Sequence, residues 1–230
     1  MNQEIRDIFD RIAPVYDNLN DWLSLGQHRI WKVMTTKWSA AKPGDHCLDL
    51  CCGSGDLTFQ LARQVGQSGK VYGVDFSCNL LAAAEERTQQ YYPQPPITWV
   101  EADVLNLPFA DNQFDAITMG YGLRNVQDIP RSLQEIYRVL KPSGKAAILD
   151  FHRPSDPIFL HFQQWYLDNI VVPMATNLGV KDEYAYISPS LDRFPVGKEQ
   201  VRLSHQAGFI NAIHYPISNG MMGVLVLNKK

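Results

Sequence analysis

The chain has 230 residues, 45% of them hydrophobic and 20% charged, which is enough for one substantial core and is the balance of a globular rather than a disordered protein. Its formal charge of −3 and its scattered Lys and Arg residues offer no attraction to a phosphate backbone, so no nucleic-acid partner is expected. Four cysteines, two of them the adjacent Cys51 and Cys52, suit neither a metal site nor a disulfide framework; with no apolar leader and no run of 18 apolar residues, the expectation is a cytoplasmic protein with reduced thiols, no metal and at most peripheral membrane contact.

Residues 2–38 read as helical. From Cys47 to Asp150 short β-type runs alternate with helical stretches, the pattern of an α/β doubly wound parallel sheet. HCLDLC (46–51), KVYGVD (70–75), ITWV (97–100), FDAITM (114–119) and KAAILD (145–150) are predicted strands. Residues 56–65, 79–90 and 129–140 are predicted helices, the last ended by Lys141-Pro142-Ser143-Gly144. An aromatic insertion follows over 155–195, then a helix over about 197–207 and two closing strands, FINAIHY and MMGVLVL. The whole is expected to be one domain over 1–230. It divides into an N-terminal helical lid (1–40), a ligand-binding core (45–150), a substrate-side insertion (151–196) and a C-terminal helix and strands (197–230).

Ligands of open parallel sheets bind beyond the carboxyl ends of the strands where the strand order reverses. The turn after the first strand, Asp49-Leu50-Cys51-Cys52-Gly53-Ser54-Gly55-Asp56, holds two glycines that let the backbone turn tightly against a ligand. Twenty residues beyond Gly55, Asp75 ends the second strand, where a carboxylate accepts hydrogen bonds from both ribose hydroxyls. A dinucleotide site wants a third glycine at position 58, and Thr58 stands there, which counts against NAD. Asp49, before the turn, suits a ligand carrying a sulfonium and an ammonium, and S-adenosylmethionine (AdoMet) is such a ligand.

The turn resembles the Asp-x-Gly-x-Gly-x-Gly motif of class I AdoMet-dependent methyltransferases and departs from it at Cys51, which implies a slightly wider turn. Glu101-Ala102-Asp103-Val104 is similar to that family's adenine-contacting segment, with a turn cap as the alternative role for Asp103. Three longer segments resemble the ubiquinone and menaquinone C-methyltransferases. They are Tyr16-Asp17-Asn18-Leu19-Asn20 with Leu23-Ser24, His28 and Trp31, then Phe114-Asp115 through Gly120-Tyr121-Gly122-Leu123-Arg124-Asn125, and Arg138 to Gly144. The usual Glu-x-Ser of that family is Asp150-Phe151-His152 here. That departure is similar to the cyanobacterial and plastid branch, which methylates 2-phytyl-1,4-naphthoquinol to phylloquinol. The resemblance implies a Rossmann-like seven-stranded sheet, AdoMet as co-substrate, a lipid quinol as acceptor, and cofactor contacts from Asp49, Gly53, Ser54, Gly55, Asp75, Asp103, Val104 and Gly120. Demethylmenaquinol, a polyprenyl benzoquinol, or another small molecule remains the alternative acceptor, and a homodimer is compatible with the sequence.

A ring carbon becomes nucleophilic when a quinol hydroxyl ionises, which for a phenol of pKa about 10 costs roughly 4 kcal/mol at pH 7. Arg124 stays protonated and so is expected to hold the quinolate oxygen, or else to brace a carboxylate such as Asp115 or Asp128. His28 and His152 are the titratable candidates, and alternation along the fifth strand suggests that Asp150 orients His152. Tyr16 and Asp17 are read as a lid over AdoMet or as packing of the N-terminal arm. Phe159, Phe162, Trp165 and Tyr166 form the candidate surface for the prenyl tail, with 159, 162 and 166 at helical spacing, or else belong to the core.

Overall fold

A computed structural model describes residues 26–177, Gly179 and residues 186–230. Its centre is a seven-stranded sheet of order β3-β2-β1-β4-β5-β7-β6. The strands are β1 (His46–Leu50), β2 (Lys70–Asp75), β3 (Ile97–Glu101), β4 (Phe114–Gly120), β5 (Leu140–Phe151), β6 (Asn211–Ile217) and β7 (Met222–Asn228). The first five are parallel, and β7 is antiparallel to both β5 and β6. Because β2 and β4 flank β1 on opposite sides, the order reverses there, and the carboxyl edge between β1 and β4 is the crevice such a sheet offers a ligand.

Helices α1 (Gln27–Trp38), α2 (Asp56–Val65) and α3 (Cys78–Gln89) cover one face, and α4 (Ile129–Val139) and α8 (Gly197–Gln206) the other. Between them the insertion forms α5 (Pro157–Tyr166), a π-helical turn (Leu167–Val171), α6 (Val172–Asn177) and α7 (Ile187–Arg193). Starts are encoded locally. The side chains of Ser77, Asp128 and Asp156 accept from the backbone N–H groups of Leu80, Arg131 and Ile158, and Pro130 and Pro157 stand in first turns. Alternation within the strands assigns the core. Leu48, Leu50, Ile117, Met119 and Ile148 pack under α4, whereas Cys47, Val71 and Ala116 pack under α2.

Among the described residues the predicted strands and helices match within a residue or two, except that β5 begins at Leu140; most of the helical reading of residues 2–38, and with it the lid over 1–40, lies outside the described residues. Leu140 pairs with Phe114 and Lys145 with Ala116, so residues 141–144, predicted as a turn, loop out within the strand. The Lys141 Nζ donates to both carboxylate oxygens of Asp115 at 2.8 and 2.7 Å, pinning the irregularity. No helix among the described residues is long and apolar enough to cross a membrane.

Candidate functional site

The turn between β1 and α2 is closed by backbone bonds from Cys52 N–H to the Val74 carbonyl (3.0 Å) and from Gly55 N–H to the Cys52 carbonyl (2.9 Å). Gly53 and Gly55 take φ of 55° and 93°, the left-handed region that favours glycine. A methyl group built on Gly55 would lie 2.6 Å from the Trp99 ring, so this position admits no side chain, while one on Gly53 would meet nothing within 4 Å. The turn thus rests on Trp99 behind and presents Gly53 toward open space, a cradle that fits a ligand's approach. Asp75, 4% exposed, accepts from Gly53 N–H (2.8 Å, Oδ2) and Ser77 N–H (3.0 Å, Oδ1). It both fixes the turn and reaches the edge. A carboxylate at the carboxyl end of the second strand is the acceptor that ribose hydroxyls require.

Cys51 stands at φ 52°, and room for its side chain comes from Gly122, where a built methyl would sit 2.5 Å from the Cys51 Cβ and 2.7 Å from its Sγ. Burial pushes both the Cys51 and the Cys52 thiol well above the ordinary range, so both stay protonated.

Asp49 requires a correction. Its side chain points under α2, wholly buried, and its two oxygens accept from the Thr58 (2.6 Å) and Thr118 (2.7 Å) hydroxyls. Burial drives its pKa up to about 7 against the restraint of those two bonds and of Lys32. It braces α2 against β4 and does not face a cationic ligand. Thr58, at the position where a dinucleotide site wants glycine, is one of its two partners.

The remaining cofactor candidates lie around the same edge. The Ser54 carbonyl accepts from Arg87 Nη1 at 2.7 Å. Asp103 Oδ1 accepts from Leu105 N–H at 3.0 Å, which is the turn-cap role. Val104 is buried in the core beneath β1 and β2. At Gly120 a built methyl would lie 2.8 Å from Leu57, so this glycine admits the first turn of α2.

The neighbouring corner of this edge is built by the turn after β4. Tyr121, at φ 60°, is a bulky residue in the left-handed region, a strained conformation of the kind found at functional sites. Arg124, in the following 3₁₀ turn, donates from Nη1 to Asp150 Oδ1 (2.6 Å) and the Tyr121 carbonyl (2.9 Å), while its backbone N–H donates to Asp150 Oδ2 (3.0 Å). Its guanidinium also lies over the Phe151 ring at 5.1 Å. The brace is therefore Asp150, and not Asp115, which pairs with Lys141, or Asp128, which caps α4. Among the described residues the buried Arg124 Nε has no hydrogen-bond partner.

His152 is also corrected. The Asp150 carboxylate that was to orient it is committed to Arg124, and His152 Nδ1 instead faces the Asp150 backbone carbonyl at 3.1 Å. An Nδ1 that donates to a carbonyl leaves a neutral ring whose Nε2 accepts, and that Nε2 lies 2.9 Å from both the Gln200 amide and His214 Nε2. Burial lowers the pKa of His152, and burial with the neighbouring His152 lowers that of His214 to about 4. His152 joins β5 to α8 and β6. His28 lies on the inward face of α1 with Lys32, Thr35 and Thr36, on the opposite face of the sheet. Arg124 and His152 both contact Asp150, the first through its carboxylate and the second through its backbone carbonyl.

Tyr16 and Asp17 lie outside the described residues. On α5 the predicted stripe is turned: Ile158, Phe162 and Trp165 are outward, 76%, 46% and 49% exposed. Phe159 and Tyr166 are half-buried, and Gln163 points inward to donate to the His152 carbonyl at 2.8 Å.

Sequence reasoning missed Lys32, whose ammonium is buried 2.7 Å from Asp56. On its other oxygen Asp56 accepts from Arg87 Nη2 at 2.9 Å. Burial raises the Asp56 pKa, but the two cations more than offset it and hold it at about 2.

Residues 1–229 match the ubiE/COQ5 methyltransferase family. The chain is 74% identical over 229 residues to the 2-phytyl-1,4-naphtoquinone methyltransferase of Trichormus variabilis, covering 100% of both. It is 56% identical over 227 residues to the Synechocystis protein of that name, covering 99% of this chain and 95% of that one. With the chloroplastic 2-phytyl-1,4-beta-naphthoquinone methyltransferase of Arabidopsis thaliana it shares 52% over 229 residues, 98% of this chain and 87% of that one. A solved SAM-dependent methyltransferase from Aquifex aeolicus superposes with a TM-score of 0.61 at 18% identity, covering 83% and 85% of the two chains. The [4+2]-cyclase SpnF superposes at 0.63 and 15% identity, covering 98% and 95%. Likeness at such identities establishes the class I fold alone, and the cyclase illustrates that this fold hosts more than one chemistry.

Proposed function

The chain belongs to the ubiE/COQ5 methyltransferase family and is an AdoMet-dependent methyltransferase; from that premise we propose that it methylates a ring carbon of 2-phytyl-1,4-naphthoquinol, giving phylloquinol. The acceptor is the one its full-length relatives are named for, at 74% identity in Trichormus variabilis. AdoMet, when bound, supplies an electrophilic methyl group on a sulfonium sulfur. Gly53, Ser54 and Gly55 would hold it at the turn, Asp75 its ribose hydroxyls, and Asp103 and Val104 its adenine end, with Gly120 at the neighbouring strand end.

The observation that carries the acceptor chemistry is Arg124. Its Nη1 is fixed by Asp150 and the Tyr121 carbonyl, and its buried Nε–H is a donor without a partner among the described residues. A buried donor left unmatched is costly, and a quinolate oxygen is a fitting acceptor for it. A guanidinium cannot take the hydroxyl proton, so that proton passes to water while Arg124 stabilises the oxyanion. Charge delocalised into the ring makes the carbon nucleophilic. After methyl transfer that carbon loses its hydrogen as a proton, the oxygen regains one from water, and the aromatic quinol is restored.

The prenyl tail suits the outward apolar residues Ile158, Phe162 and Trp165 of α5, and Trp at such a surface also suits a membrane interface, which supports peripheral contact with a bilayer. The test is product mass after incubation with AdoMet and each reduced prenyl quinol. Gain of one methyl by phytyl-naphthoquinol is expected; methylation of a polyprenyl benzoquinol alone would reassign the acceptor.

A further inference from the structure

We infer that Lys32 is a positioning residue for AdoMet, tying helix α1 to the cofactor turn through Asp56. Asp56 opens α2 directly after Gly55, and both its carboxylate oxygens are taken by cations from flanking helices, Lys32 of α1 at 2.7 Å and Arg87 of α3 at 2.9 Å. Arg87 also donates to the Ser54 carbonyl at 2.7 Å. The segment Ser54–Asp56 is thus clamped from two sides, and it needs clamping, because Gly55 within it, like Gly53 just before it, has the widest backbone freedom of any residue.

The Lys32 side chain is only 8% exposed. A buried ion pair is a weak source of stability, since apolar replacements of similar volume are often neutral. What the charge gives and a methionine does not is a fixed distance between α1 and the turn. Lys32 Nζ also stands 5.9 Å from the Tyr121 ring centroid. Tyr121 begins the turn that carries Arg124, and its carbonyl holds Arg124 Nη1. The Lys32 contact is with the ring alone and is far looser than the 2.7 Å ion pair, so the tie falls on the cofactor turn.

This inference rests on the AdoMet assignment, and its test separates the two. In the full-length protein, S-adenosylhomocysteine affinity is measured by calorimetry alongside kcat and the KM of each substrate. Lys32→Met is expected to weaken S-adenosylhomocysteine and raise the KM for AdoMet by about tenfold, within the span that coupled neighbouring groups reach. The KM for the quinol and the melting temperature should hardly move, and Lys32→Arg should recover most of the loss. Asp56→Asn should reproduce the defect, and Lys32→Met with Asp56→Asn should be no worse than the weaker single variant. If Lys32→Met does not fold, Lys32→Gln takes its place. Unchanged product affinity, equal rises in both KM values, or additive losses in the double variant would overturn the role. Failure of the unsubstituted protein to bind S-adenosylhomocysteine would strike the AdoMet assignment itself, and this inference with it.

Discussion

Gly122→Ala should destabilise the protein, and Cys51→Gly should rescue it. A methyl at residue 122 would fall 2.5 Å from Cys51 Cβ and 2.7 Å from its Sγ, closer than side chains tolerate, and 3.3 Å from Met119 Cγ, a tight contact that a flexible methionine relieves by a small shift. The Gly122 backbone is ordinary, at φ −99°, so the penalty is steric alone, and overpacking of this kind costs about 1–3 kcal/mol. Cys51 at φ 52° carries the left-handed cost of an L-residue, about 1–2 kcal/mol. Replacing it with glycine removes that strain and loses a buried thiol worth about 1 kcal/mol, so Cys51→Gly by itself should be near neutral. The pair should then be strongly non-additive, with Gly122→Ala harmful beside Cys51 and harmless without it. For a chain of this size about 1 kcal/mol moves the melting temperature by roughly 2–4 °C, so calorimetry of the four proteins, with urea unfolding as a second measure, resolves the cycle. Equal loss from Gly122→Ala in both backgrounds would refute the argument that the two positions share one space.

Three further expectations follow from the same geometry. Arg124→Lys keeps a cation beside Asp150 but deletes the Nε donor, so kcat should fall by about 100-fold or more with little change in melting temperature; Arg124→Met, which leaves Asp150 buried and unpaired, should cost about 3–5 kcal/mol of stability. His214 has a folded pKa of about 4 and an unfolded one near 6.5, so between those values the unfolded chain binds more protons and stability falls as pH falls, by up to about 1.4 kcal/mol per pH unit. Asp49, raised to about 7, slopes the other way over the same range but is common to both proteins, so the difference between unsubstituted protein and His214→Gln isolates the histidine in urea unfolding from pH 7 to 4. Parallel profiles would count against the neutral His152–His214 pair. Replacing Ile158, Phe162 and Trp165 with Ser should raise the KM for phytyl-naphthoquinol well above that for a tail-less naphthoquinol, and equal effects on both would detach the stripe from the tail.

The inner parallel strands were legible because they are largely buried on both faces and read as apolar runs between glycine and proline punctuation, while β3, half-buried at the sheet edge, was legible from its β-branched and aromatic residues. The start of β5 was not, since Lys141-Pro142-Ser143-Gly144 sends a local turn signal while Leu140 already pairs with Phe114, a partner 26 residues away. The glycine turn and Asp75 were legible because their chemistry is local to one βα unit. The orientation of Asp49 was readable in principle: Cys47 and Asp49 share a strand face, and Thr58 of α2 lies above it. Lys32 was hidden for a different reason. A lysine on an amphipathic helix reads as solvated, and only its spacing with His28, Thr35 and Thr36 places it on the inward face of α1.

The placement of His152 comes down to one carboxylate with two claimants. Alternation along β5 puts Asp150 and His152 on the same side, but it says nothing of what arrives from the next strand. Arg124 arrives there with a permanent charge, and its Nη1 and backbone N–H meet the two oxygens of Asp150 at 2.6 and 3.0 Å. A buried imidazole offers one donor and must be charged to match it, which burial opposes. The guanidinium therefore wins Asp150, and His152 is left with a carbonyl, an amide and a second histidine, all of which suit its neutral form. With the acid of β5 spent on fixing Arg124, that edge of the sheet holds an oxyanion more readily than it removes a proton. Under the proposed function, that arrangement lowers the cost of ionising the quinol and leaves the proton itself to water.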